Sequence, residues 1–326
     1  MTKFPSKMRS DPGLAWTRIM SALIGVRAAR LEVSSKCQLK CPLCPTGMGL
    51  NRKGTIGWGF LTADNFKKFL TLNPKVRWIE LSNYGEMFLN PELAAILCIA
   101  SQSSIQVSAW NGVNLNNATP DALETVVKYK LRGMTLSIDG ASQETYSIYR
   151  VGGDFARVIE NVRILNQFKK QYKTSFPFLR WQFVVFGHNE HELEKARKMA
   201  QELGVSFYPK MNWDLRYSPL RNLDKISENV GRDLRSSVKI LQQRDKDNAY
   251  LCGQLWTMPQ VNWDGKLLGC CVNIWGDYGN AFEKPLQLLL KSKRYAYAKA
   301  MLLGKKAPST DVPCGHCHDF RRSAGI

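Results

Sequence analysis

The chain has 326 residues, a 44% hydrophobic share and 46 basic against 27 acidic residues, for a formal net charge of +19. That apolar share supports a sizeable core, and the length allows one large domain with an appendage or two modest ones. No window reaches the roughly 18 uninterrupted apolar residues of a membrane-crossing helix, so no membrane partner is expected.

At the N-terminus, Lys3, Lys7 and Arg9 precede a short apolar run, Ile19 to Val26. No small-residue cleavage site follows, so residues 1–28 read as a helical extension packed on the main domain. From residue 30 to 210, short apolar runs alternate with helical periodicity. The expected strands are Arg30–Ser34, Arg77–Ser82, Ile105–Trp110, Met134–Ile138, Arg180–Phe186 and Val205–Pro209. Helices are expected at Thr62–Leu72, Pro91–Ser101, Thr119–Lys130, Phe155–Tyr172 and Glu190–Leu203. Repeated βα units imply a parallel sheet with right-handed crossovers, hence an α/β partial barrel over residues 29–212. Its working end is the C-terminal edge of the strands.

Beyond Pro209 the alternation stops. Residues 213–248 read as a basic helical connector, and residues 249–326 as a small separate domain. Within it, Leu251 to Cys271 reads as a hairpin turning at Asp264-Gly265, followed by a helix at Pro285–Leu303. The basic residues are scattered, densest at Arg216 to Lys246 and Lys284 to Lys306. Scattered charge is a weaker nucleic-acid footprint than a stripe, and a phosphorylated or nucleotide-linked substrate accounts for it equally well.

Nine cysteines are many for this length, and they cluster as metal thiolates do; as disulfides such short loops would add little. A reducing, cytoplasmic compartment is therefore expected. Cys37-x3-Cys41-x2-Cys44 follows the first strand, on the working edge. Three thiolates can each hold one iron of a cubane and leave the fourth open, and zinc with a distant fourth ligand is the competing reading. Cys252, Cys270, Cys314 and Cys317 form a second set, with a four-cysteine zinc site as its alternative.

The run Cys37-Gln38-Leu39-Lys40-Cys41-Pro42-Leu43-Cys44 resembles the signature of the radical S-adenosylmethionine superfamily. Leu43 stands where many members carry an aromatic residue that packs against adenine. Ser82-Asn83-Tyr84-Gly85-Glu86 is similar to the family's Gly-Gly-Glu element, with Tyr84 at its first glycine and Met87 at its frequent proline. Trp110-Asn111-Gly112 resembles the Asn-Gly pair after the third strand, and Ser137-Ile138-Asp139-Gly140 the fourth-strand element. Tyr149-Arg150-x-Gly152-Gly153 offers an arginine for the cofactor's carboxylate, and Val184, Val185 and Asn189 resemble the adenine-side wall.

The resemblance implies a partial (β/α)6 TIM-like barrel binding S-adenosylmethionine through Leu43, Gly85, Glu86, Asn111, Ser137, Asp139, Arg150 and Val184. It implies a [4Fe–4S] cluster on Cys37, Cys41 and Cys44, fed by a flavodoxin- or ferredoxin-type donor. Reductive cleavage would then give a 5′-deoxyadenosyl radical that takes hydrogen from an unactivated carbon. Trp263-Asp264-Gly265 with Leu267-Leu268-Gly269-Cys270 resembles the hairpin of SPASM and shortened twitch domains, which carry auxiliary [4Fe–4S] clusters. Two clusters are thus implied, the second on Cys252, Cys270, Cys314 and Cys317.

Cys271, beside Cys270, is the ligand in its place, an inert neighbour or a hydrogen-atom donor to a substrate radical. The expected function is oxidation or epimerisation of a small sugar- or aminocyclitol-like molecule. A peptide maturase, an RNA-modifying enzyme and a zinc-binding interaction protein are the alternatives. Cys98 is expected as a buried small hydrophobe, and His316 and His318 at the surface or supporting the last ligand pair without ligating. His188 and His191 are expected at a solvent-facing helix start, with one of them facing the substrate as the alternative.

Overall fold

A computed structural model of the chain describes residues 26–214, 216–222, 226 and 253–326. Residues 1–25 of the expected N-terminal extension, most of the basic connector and Cys252 lie outside the described residues.

Six strands, β1 (Ala28–Leu31), β2 (Trp78–Glu80), β3 (Gln106–Val113), β4 (Gly133–Ser137), β5 (Phe178–Val185) and β6 (Ser206–Met211), pair in sequential order, all parallel. A seventh, β7 (Gln260–Val261), joins the free edge of β1, also parallel. Helices α1 (Ala63–Leu72), α2 (Leu93–Gln102), α3 (Pro120–Lys128), α5 (Phe155–Gln171) and α6 (Leu193–Glu202) fill the crossovers, with a short α4 (Gln143–Tyr149) before α5. This is the expected α/β partial barrel, open because β6 and β1 do not pair.

Local chemistry sets the helix starts. Thr62, Thr119, Ser142 and Asp154 each accept a hydrogen bond from a backbone N–H three residues on, and Pro120 occupies a first turn where no N–H is needed. Side chains alternate across each strand, so the sheet has two different faces. Leu31, Ile79, Val107, Met134 and Trp181 lie in the hydrophobic core with Phe66, Phe69, Leu97, Val126 and Val162 of the helices. The register sets Arg30 beside Glu80, Glu80 beside Ser108 and Thr135 beside Arg180, which makes the opposite face polar.

Several expectations shift. β1 pairs two residues earlier than Arg30, and β3 runs to Val113, so Trp110-Asn111-Gly112 lies in the strand's irregular end instead of the loop after it. The register slips between Ala109 and Val113, and Gly112 takes φ 123°, where an added Cβ would stand 2.7 Å from Ser137 Oγ. The expected hairpin keeps its turn, with Asn262 N–H donating to Lys266 at 2.9 Å, but its arms are short and residues 254–257 form helix α7 (Gln254–Thr257). The helix expected at Pro285–Leu303 is two, α8 (Leu286–Leu289) and α9 (Lys293–Leu302), because Ser292 caps the second through Tyr295 N–H. A last helix, α10 (His318–Ala324), follows the final cysteine.

Candidate active site

The loop after β1 carries Cys37, Cys41 and Cys44 to the C-terminal edge of the sheet. Their side chains share one apolar cluster with Leu39, Leu43, Tyr149, Val184, Phe186 and Tyr217. Gly47 lets the loop fold on itself: a Cβ there would lie 2.6 Å from Cys41 N and 2.7 Å from its carbonyl oxygen. Asn114 Nδ2 donates to Cys37 Sγ at 3.6 Å, and Arg150 Nη1 to Cys41 Sγ at 3.7 Å. Burial, reinforced by Glu86, pushes the Cys37 thiol up to about 12. Burial also raises Cys41, against the pull of Arg150. Buried thiols with hydrogen-bond donors aimed at sulfur suit soft-metal ligation, where a metal charge replaces the protons. Among the described residues, no three Cys, His, Asp or Glu side chains converge on a single-ion position.

Behind Cys41 stands an ion pair. Arg150 Nε donates to Asp139 Oδ2 at 2.6 Å, with Asp139 fully buried. Asp139 Oδ1 accepts from Val184 N–H at 2.7 Å, and Asn189 Nδ2 donates to the Asp139 and Val184 carbonyls, both at 2.9 Å. The fourth- and fifth-strand elements are therefore one network, packed on the cysteine loop.

A second carboxylate group anchors β2 and β3. Glu86 is buried and accepts from Asn114 N–H at 2.6 Å and Phe88 N–H at 3.1 Å; burial lifts it to about 7. Glu32 accepts from Tyr84 N–H at 2.9 Å and Gly85 N–H at 3.3 Å, and burial lifts it to about 8. Gly85 has no room for a side chain, since a Cβ would lie 2.2 Å from the Ser34 carbonyl oxygen. Asn111 Nδ2 donates to Asn83 Oδ1 at 2.8 Å, and Asn83 Nδ2 to the Cys271 carbonyl at 3.0 Å. Ser137 sits under Gly112.

Cys270, Cys271, Cys314 and Cys317 line one cavity of about 80 Å³, together with Gln254 and Asn273. Cys270 and Cys314 are buried; Tyr278 Oη lies 3.4 Å from Cys314 Sγ. Gln254 holds Cys271 twice, donating from Nε2 to Sγ at 3.0 Å and accepting its backbone N–H at 2.7 Å.

Two expectations for single residues change, and a third holds. His188 does not face solvent: its ring stacks on Phe186 with centroids 5.1 Å apart, Nδ1 lies 2.8 Å from Ser218 Oγ, and burial lowers its pKa. Cys98 is half-buried and hydrogen-bonds Tyr129. His316 is at the surface, as expected, where it contacts the Thr310 carbonyl at 2.9 Å and stacks on Trp275. Sequence reasoning missed Asn114, Glu32 and Gln254. Only Asn114 carried a signal, two residues beyond the Asn-Gly pair.

The fold and the thiol loop define an open parallel-barrel protein with a cofactor-type site at its strand ends. No family model matches the chain. Over 180 residues it is 27% identical to the AdoMet-dependent heme synthase of Methanosarcina barkeri (strain Fusaro / DSM 804), covering 54% of this chain. The aligned stretch is 48% of that relative, so the chain matches about half the length of its curated relative. Streptococcus suis SuiB bound to S-adenosylmethionine superposes with a TM-score of 0.63 at 13% identity, covering 91% of this chain and 71% of SuiB. SuiB bound to its precursor peptide SuiA gives 0.62 at 15% identity, over 84% of this chain and 67% of SuiB. The likeness to SuiB is one of fold. In its cysteine motif and in its alignment with the heme synthase the chain is similar to radical S-adenosylmethionine enzymes. No described helix is long and apolar enough to cross a membrane.

Proposed function

We propose that the chain is a radical enzyme acting on an unactivated carbon of a small, sugar- or aminocyclitol-like molecule, with oxidation or epimerisation as the outcome. The observation that carries this is the shared pocket of Cys37, Cys41 and Cys44, with Asn114 and Arg150 donating to two of the sulfurs. These thiols would hold a [4Fe–4S] cluster, and Leu43, Gly85, Glu86, Asn111, Ser137, Asp139, Arg150 and Val184 would surround S-adenosylmethionine. When bound, cluster and cofactor supply the electron and the hydrogen-abstracting radical.

The chain's own residues position and shield. Asp139 fixes Arg150, which leaves a cation facing Cys41 and available to a carboxylate. Asn114 and Phe88 N–H groups orient Glu86, and the Leu39, Val184 and Phe186 wall excludes water. Cys270, Cys314 and Cys317 would hold a twitch-type auxiliary cluster with Cys252, and a flavodoxin- or ferredoxin-type protein would supply electrons.

Anaerobic reconstitution followed by iron and sulfide analysis tests the first part, with about eight irons per chain expected. Zinc without sulfide would sink the reading. Deuterated sugars and aminocyclitols would then transfer label into 5′-deoxyadenosine; label arriving only from a peptide or RNA would overturn the substrate class.

A further inference from the structure

The thiol loop carries a charge pattern of its own. Between Glu32 and Asp64 the chain holds no acidic residue and four basic ones, Lys36, Lys40, Arg52 and Lys53. Lys40, Arg52 and Lys53 are exposed, and among the described residues none of the four belongs to an ion pair. Two are steadied by rings instead: the Arg52 guanidinium lies 4.8 Å from the Trp58 ring centroid, and Lys36 Nζ 4.3 Å from that of Phe60. Cations without a countercharge keep their field for a partner, and a uniform sign steers an oppositely charged one in.

The same loop exposes apolar side chains where its backbone wraps the cysteines. Met48 N–H donates to the Cys44 carbonyl at 2.8 Å and Leu50 N–H to that of Pro45 at 2.9 Å, so the turn folds back on the third cysteine. Gly47 sits against the Lys40–Cys41 peptide, and Lys40 N–H donates to the Val151 carbonyl at 3.0 Å. Val151 follows Arg150, whose guanidinium reaches Cys41 Sγ. These contacts bring residues 47–50 and Val151 together at Lys40. There Met48, Leu50 and Val151 stand 57%, 56% and 38% exposed. Apolar side chains rimmed by charge of one sign make up a protein-docking face, and small faces of this kind suit brief electron-transfer encounters.

We propose that Lys40, Met48, Leu50, Arg52, Lys53 and Val151 form the face on which an acidic one-electron carrier protein docks to reduce the cluster held by Cys37, Cys41 and Cys44. This rests on the radical-enzyme reading and adds where the carrier sits. The docked carrier is oxidised by one electron and the cluster reduced by one; no bond at the surface forms or breaks. Met48 is one hydrogen bond from Cys44, so a carrier seated here ends against the thiol loop. A second basic group, Arg163, Lys169, Lys170 and Lys173, lines a groove where α5 ends, at the N-terminal edge of the sheet. It has the same sign of charge and no cysteine in its lining, which makes it the natural control.

The test uses the full chain, reconstituted anaerobically, with a flavodoxin and separately a ferredoxin as probes. Binding is read from the anisotropy of the dye-labelled carrier. Formation of 5′-deoxyadenosine is followed with each reduced carrier and with dithionite, which needs no docking face. Arg52→Glu/Lys53→Glu should raise the carrier's Kd on the order of tenfold and slow carrier-driven cleavage, with dithionite-driven cleavage at the wild-type rate. That variant should also flatten the salt dependence of binding, whereas Leu50→Ser should weaken binding and keep it. Lys170→Glu/Lys173→Glu, the same charge change at the opposite edge, should bind as wild type does. Should the Arg52 and Lys53 variant fail to fold, Leu50→Ser carries the test. Binding of neither carrier, wild-type binding in both loop variants, or equal loss in the two double variants overturns the proposal. No cleavage even with dithionite refutes the radical reading; dithionite-driven cleavage with carrier binding indifferent to these residues refutes this face alone.

Discussion

Arg150 and Asp139 form an ion pair at 2.6 Å, with Asp139 fully buried and Arg150 at 15% exposure, and the same guanidinium reaches Cys41 Sγ at 3.7 Å. One side chain thus joins the fourth strand's end to the cysteine loop. Its charge is held by Asp139, which keeps the Arg150 pKa well above the usual range against the cost of burial.

Asp139→Asn removes the countercharge and keeps an oxygen for Val184 N–H. Arg150 is then left as an uncompensated buried cation, which costs about 3 kcal/mol when a buried pair is broken. A lower urea midpoint with an unchanged denaturant slope is expected. Equilibrium dialysis should also show weaker S-adenosylmethionine binding, because Arg150 loses its orientation. Wild-type stability in this variant would mean that the pair does not hold the loop.

Stability should fall as pH rises across the range set by Glu32. Its folded pKa, about 8, stands above the ordinary 4.5 because burial penalises the carboxylate. The folded state therefore binds more protons than the unfolded state between those values, and the slope of stability with pH is negative there. The loss is on the order of 3 kcal/mol from pH 5 to pH 8. Glu32→Gln should flatten that slope in urea melts of the metal-free chain and stabilise it at pH 8. A variant with the wild-type slope would assign the proton elsewhere.

Gly47→Ala tests whether the loop's shape is what gathers the thiols. The added methyl meets the Cys41 backbone at 2.6 and 2.7 Å, and backbone cannot swing aside as a flexible side chain can. Overpacking of this kind costs about 1–3 kcal/mol. Under the proposed function, iron bound after anaerobic reconstitution should drop by about half, the share of one cubane in two. Full iron content would show that the loop tolerates a displaced Cys41.

Much of this arrangement is legible in the residue order because it follows from strand periodicity. Ile79, Val107 and Met134 face the helices, and they alternate along their strands with Glu80, Ser108 and Thr135. Cys37, Cys41 and Cys44 are equally plain, since a short spacing after a strand places thiols on the working edge. What stays hidden depends on partners distant in sequence. Asn114 reaches Cys37 across 77 positions, and Gln254 finds Cys271 only when the short turn of α7 packs on the hairpin. The pattern misleads at Trp110-Asn111-Gly112, where the resemblance puts Asn-Gly after the third strand while β3 continues through a register shift to Val113. It misleads again at Ser292, whose hydroxyl cap divides what periodicity presents as one helix.

Cys270 and Cys271 are neighbours with different surroundings, which assigns them different roles under the proposed function. Cys270 is buried, and both it and Cys314 act on the Tyr278 hydroxyl, raising its pKa after burial has done so. Cys271 is half-buried, its sulfur and N–H are clamped by Gln254, and its carbonyl accepts from Asn83, which also accepts from Asn111 at the barrel's edge. Cys270 is therefore the expected iron ligand, and Cys271 the thiol on the seam with the barrel. Cys270→Ala should lose about four of eight irons, whereas Cys271→Ala should keep all of them. If the reaction is an epimerisation, Cys271→Ala should also stop uptake of solvent deuterium into product while 5′-deoxyadenosine still forms. Iron loss in Cys271→Ala with full iron in Cys270→Ala would exchange the two assignments.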